Sequence, residues 1–146
     1  MNTKLLLAAL AGGVASFLLG WLVFGILLKP TYDGMMTEAG KNIMRPEAEM
    51  MNYMWAMILS NLAYGLLFAL IFGRWANIST FRGGAIAGGV ISLLLALSFD
   101  LGMYSMMNAW QGGMGLVIDP LVNGVVGAVV GGVVGWVLGY GQRQAA

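Results

Sequence analysis

Three groups of residues could do chemistry. Eleven of the 12 methionines, all but Met1, fall between Met35 and Met57 or between Met103 and Met114. Met50-x-x-x-Met54-x-x-Met57 spaces three thioethers along one helical face. Thioethers are soft ligands that select Cu(I), so Met50, Met54 and Met57 form the candidate metal site. Met also fills irregular gaps and makes adaptable contact surfaces, and that is the expected role. The second group is acidic: Asp33, Asp100 and Asp119, accompanied by Tyr32 and Tyr104. Such carboxylates attract cations, or they serve as solvated loop charges and helix caps. The third is a single amide, Asn61, near the middle of an apolar run. A buried amide needs a partner. An interhelical hydrogen bond is the plainer role, and a place on a polar pathway is the other.

What is missing excludes much else. The chain has no Cys and no His. It therefore has no disulfide, thiol nucleophile or zinc–thiolate site, and no imidazole base. No nucleophile–base pair or phosphate loop occurs, so a non-enzymatic protein without a cofactor is expected. Net charge is +1, which gives no electrostatic case for nucleic acid. Of the 146 residues, 60% are apolar and 9% charged, and mean hydropathy is +0.83. A soluble domain carries about 25% charged residues, and disorder needs low hydrophobicity. The composition is that of one integral membrane domain, residues 1–146.

Crossing a bilayer takes about 20 apolar residues. Four stretches qualify: Leu5–Leu28, Met50–Gly73, Gly83–Met103 and Pro120–Tyr140. They predict an all-α membrane protein, a bundle of four transmembrane helices embedded in a lipid bilayer. The first run is too long for the core of a cleaved signal peptide and reads as an uncleaved anchor. Four spans put both termini on one side, with Lys4, Arg74, Arg82 and Arg143 and no acid. The other side holds Lys29, Lys41 and Arg45 with all six acids. The short basic loop Arg74–Arg82 is where the positive-inside rule acts best. The expectation is a multi-pass protein of the cell inner membrane with cytoplasmic N- and C-termini. Asp119-Pro120 reads as an N-cap followed by proline at the first helical position. Arg45-Pro46-Glu47-Ala48-Glu49 opens the second span in the same way, with carboxylates at the positive end of the helix dipole.

Small residues recur every fourth position in each span. They include Gly12, Ser16 and Gly20 in the first, Gly65 in the second, and Gly88 and Ser92 in the third. The fourth span carries Gly127, Gly131, Gly135 and Gly139. Between lipid-embedded helices, close backbone approach supplies the attraction that the hydrophobic effect does not. These positions are the expected helix-packing faces of a glycine zipper. Gly124, Ala128 and Gly132 form a second stripe on the fourth span, expected to meet a partner chain.

Ala11–Leu19 and Ala87–Leu95 agree at seven of nine positions. Such a match is compatible with two duplicated helical hairpins, related by an axis along the membrane normal. With Gly20-Trp21-x-x-Phe24-Gly25, a polar loop and a short Arg-bounded loop, the layout resembles small four-span bacterial inner-membrane proteins. The activity of that group is not established, so the resemblance implies a fold and no chemistry. The leading expectation is a structural or accessory subunit that packs through glycine with itself, as a homo-oligomer, or with a larger membrane complex. The alternative is a small-solute or cation transporter or channel with a Met/acid capture site on the outer face. Charge inserted in the membrane separates the two. An accessory subunit needs a dry, charge-free centre, which the sequence shows, whereas a continuous water-lined cavity past Asn61 would reverse that ranking in favour of transport.

Overall fold

The structure, a computed structural model, describes residues 2–140. It is 85% helical, with no strand among the described residues. Four helices are long and apolar enough to span a membrane: Thr3–Leu27, Glu38–Trp75, Phe81–Met106 and Gly115–Gly139. The protein is therefore an all-α, multi-pass membrane protein. Met1 and Arg143, one of the basic positions used to orient the chain, lie outside the described residues.

Helix α1 (Thr3–Leu22) runs on through a π-helical turn at Val23–Leu27. Two short helices, α2 (Lys29–Met35) and α3 (Glu38–Ile43), fold the polar connection. Helix α4 (Glu47–Met50) begins after Pro46 with Glu47 and Glu49 in its first turn, as expected, and a 3₁₀ turn at Met51–Tyr53 leads into α5 (Met54–Leu70). A second π-helical turn, Ile71–Trp75, ends that span. Asn77, in left-handed conformation at φ 50°, reverses the chain, and the Thr80 side chain caps α6 (Phe81–Met106) by accepting from the Gly83 N–H at 3.1 Å. Helix α7 spans Gly115–Gly139.

Two expected boundaries move. The fourth helix does not start at Asp119-Pro120; it starts at Gly115, with Pro120 inside it. The N–H groups of Val117 and Ile118 already close the first turn on the Met114 carbonyl, at 3.1 and 3.0 Å. Proline then removes one later bond without preventing nucleation. Asp119 is thereby released from capping. The third helix continues to Met106, so Asp100 lies within a helix and not at its edge.

The helices form an incomplete ring in the order α5, α1, α7, α6, with α7 the best-buried member. Phe68, Phe72, Val130 and Val134 are fully buried between them. Backbones approach closely along α6 and α7. A Cβ on Gly131 would overlap the Gly84 carbonyl and come within 2.8 Å of the Gly88 Cα. One on Gly127 would overlap the Ser92 side chain, and Gly135 and Gly139 lie against the backbone of Thr80 and Ser79. On the other side of the bundle, a Cβ on Gly12 would lie 3.2 Å from the Gly65 Cα. Each sequence-matched segment packs on the next span, α1 against α5 and α6 against α7, but α1 also packs on α7 whereas α6 lies at an end of the open ring.

Other stripe positions differ from expectation. Gly124, Ala128 and Gly132 do not present a free face to a partner chain. A Cβ on Gly124 would meet the Leu93 side chain at 3.3 Å, Ala128 lies over Gly89, and a Cβ on Gly132 would come within 2.6 Å of the Phe81 ring. Helix α6 fills that side because its own small residues let it cover both stripes. Gly20 packs on no helix: a Cβ there would meet nothing within 4 Å among the described residues. It faces open space.

Candidate functional site

That open space is a cavity of about 780 Å³ to which α1, α5, α6 and α7 all contribute. Its deep end is polar. Ser16 donates to the Asn61 Oδ1 at 2.6 Å, and Asn61 returns its Nδ2 to the Met57 carbonyl at 2.8 Å. Ser92 donates to the Gly88 carbonyl at 2.7 Å and shares a second hydrogen bond with the Tyr64 hydroxyl. The helix faces that bring backbones together therefore also place their hydroxyls at one level.

The cavity wall is acidic. Asp100 on α6 and Asp119 on α7 both line it and face one another. Asp119 accepts from the Tyr32 hydroxyl at 2.6 Å and from the Asn123 Nδ2 at 2.8 Å. Asp100 is only 6% exposed, and its Oδ2 has no hydrogen-bond partner among the described residues. Leaving a buried polar atom unmatched costs about 1–3 kcal/mol, more for a charged group. Ionisable residues inside membrane helices mark ion and substrate paths. Asp33, Tyr104 and the remaining acids stay outside this cavity.

Aromatic rings close the end of the cavity away from the Arg74–Arg82 turn. Phe24 and Trp110 line the cavity, and Tyr32 sits between them, 5.5 Å from the Phe24 centroid and 6.1 Å from that of Trp110. Burial first, and the Asp119 hydrogen bond second, push the Tyr32 hydroxyl well above its usual range, so it remains a neutral donor. The loop carrying Trp110 is clasped to the end of α2. Thr37 N–H donates to the Ala109 carbonyl at 3.0 Å, and Gln111 N–H to that of Met35 at 2.7 Å.

No known protein family, curated protein or solved structure matches the chain. The chemistry must be read from the geometry alone.

The cavity reaches Asn61 but does not run through the protein. Below it, Tyr64 and Phe68 on α5 and Phe72 in the π-helical turn that follows form an aromatic ladder, with ring centroids 4.8 and 5.4 Å apart. Phe72 also lines a separate cavity of about 420 Å³ at the basic end, beside Lys4, Arg74, Asn77 and Ser79. Two polar cavities are thus separated by one apolar plug.

The candidate methionine trio is distributed over two helices, Met50 ending α4 and Met54 and Met57 in α5. The 3₁₀ turn at Met51–Tyr53 lies between Met50 and the other two. Met50 joins Met36 and Met44 around a separate groove of about 410 Å³, which neither Met54 nor Met57 lines. An exposed Lys29–Glu47 ion pair borders that groove, and the Glu47 hydrogen bond raises the Lys29 ammonium above its ordinary value. Among the described residues, no group of three or more Asp or Glu side chains is placed to hold a metal ion.

Asn123, Tyr64 and Trp110 belong to the site without having been singled out in the sequence. One signal could have found Asn123: Asn61-x-x-x-Gly65 and Asn123-x-x-x-Gly127 share a spacing. In both, the glycine sits against a neighbouring helix and the amide, one turn away, reaches the cavity.

Proposed function

We propose that the protein captures a small cation-bearing solute in its acidic cavity and passes it across the membrane. The supporting observation is Asp100: a buried carboxylate in a membrane helix, one oxygen unmatched, beside a second carboxylate in a cavity of solute size. Tyr32 and Asn123 orient Asp119 and leave the Asp100 oxygen to the ligand. The cavity ends at Asn61 and does not form the continuous passage that a channel needs; two cavities with a plug between them suit instead a carrier that exposes its site to one side at a time. The basic end, with Lys4, Arg74 and Arg82, is assigned to the cytoplasm on the positive-inside rule, in an inner membrane.

The alternative, an accessory subunit in a homo-oligomer or larger complex, needs another contact surface, because α6 covers Gly124, Ala128 and Gly132. The test is uptake of labelled tetramethylammonium into proteoliposomes of the purified protein. Saturable uptake above that of empty vesicles, abolished by Asp100→Asn, is the expected outcome. Monodisperse, folded protein without uptake would return the accessory role to first place.

A further inference from the structure

The wall of the cavity is interrupted on one side. Helices α1 and α5, α1 and α7, and α6 and α7 pack extensively, but α5 and α6 barely touch. The Tyr64–Ser92 hydrogen bond joins them at the level of the cavity floor. Toward the acidic end the ring stays open. Ser60 on α5 and Leu95 and Phe99 on α6 line the cavity there and are exposed, Phe99 to 66%. Exposed lining residues on the two helices that do not meet place the opening on the flank of the bundle. In a bilayer that flank faces lipid. The upper end, by contrast, is covered by Trp110 and the clasped loop.

The ligand must therefore suit two media. Inside are two carboxylates and the rings of Phe24 and Trp110. A carboxylate pair favours a cation, and aromatic faces attract quaternary and other soft organic cations. At the mouth are Leu95 and Phe99, apolar surface continuous with the hydrocarbon core. An inorganic ion would have no use for the mouth and would fill little of the volume.

We infer that the ligand is an amphiphilic organic cation, which enters sideways from the membrane between α5 and α6 with its charge toward Asp100 and Asp119. This rests on the cation-capture reading and names its substrate class. It also gives each feature one role: acids for the charge, rings for the groups around it, and the flank for the apolar remainder.

The experiment compares two probes on the full chain in lipid nanodiscs: tetraphenylphosphonium, which is apolar, and tetramethylammonium, which is small and hydrophilic. Binding above that of an Asp100→Asn/Asp119→Asn variant corrects for partition into lipid. Tetraphenylphosphonium should bind at least about tenfold more tightly. Ser60→Trp, a bulky ring at an already exposed mouth position, should weaken tetraphenylphosphonium by a similar factor and tetramethylammonium by less. Equal binding of the two probes, or an unaffected Ser60→Trp variant, would overturn lateral access while leaving cation capture standing. Binding of neither probe would overturn both. A Ser60→Trp variant whose particle mass falls by half would show that a second copy, and not a ligand, covers the flank.

Discussion

Asp119 shows how a single residue can carry a false signal. Followed by proline it has the form of a helix cap, yet its oxygens serve Tyr32 and Asn123 inside a cavity. What releases it is Gly115–Ile118 extending α7 backwards, and no local pattern announces that extension. Asn61 was legible because an amide in an apolar run has to find a partner, and Ser16 supplies it. Removing the Tyr32 hydroxyl tests the Asp119 contact. Tyr32→Phe should cost about 1.5–3 kcal/mol, the range for hydrogen bonds to charged groups, measured by thermal unfolding in detergent. The raised Tyr32 value has a defined sign. The neutral hydroxyl is favoured in the folded state, so its contribution is complete below the unfolded value of about 10 and fades as pH rises through the folded one. Lys29 acts in the same direction. Titrated to about pH 11, wild type and Tyr32→Phe should therefore give the same phenolate absorbance. A deficit in the variant would mean that Tyr32 ionises like an exposed phenol.

Helix-scale order was written in the small residues, but which neighbour each stripe meets was not. Period-four spacing states that a face is flat; it does not state what lies on it. The α6–α7 pair uses both stripes of α7, whereas Gly20 uses none. Substitutions should separate these cases. Gly131→Leu has no room beside Gly84 and Gly88 and should sharply reduce the yield of folded protein. Gly132→Leu strikes the Phe81 ring and should destabilise the α6–α7 contact, lowering the melting temperature without changing the particle mass. Gly20→Ala meets open space and gains up to about 1 kcal/mol of helix propensity, so its melting temperature should hold or rise. A Gly132→Leu variant that loses half its mass at unchanged melting temperature would restore the partner-chain role of that stripe.

Across the whole molecule, composition was enough for the class and for four spans, because a bilayer imposes length and apolarity on every crossing segment. The cavity was hidden because it depends on which pair of helices fails to meet, and hydropathy carries no such information. On the proposed carrier reading, the buried, stacked Phe68 and Phe72 close the path between the two cavities. Phe68→Ala should cost about 3–5 kcal/mol of stability and should let tetramethylammonium leak from loaded vesicles faster than wild type does. Orientation can be checked with reporter fusions in the 38–45 segment and in the Arg74–Arg82 turn, with cytoplasmic signal expected only from the latter. The central claim, that the two cavity carboxylates hold a cation, is tested most directly by calorimetric titration of tetramethylammonium into the nanodisc-embedded protein. Wild type should bind with one site per chain, and Asp100→Asn should weaken binding at least about tenfold, or 1.4 kcal/mol, while keeping its melting temperature. Equal affinity in wild type and Asp100→Asn would contradict it.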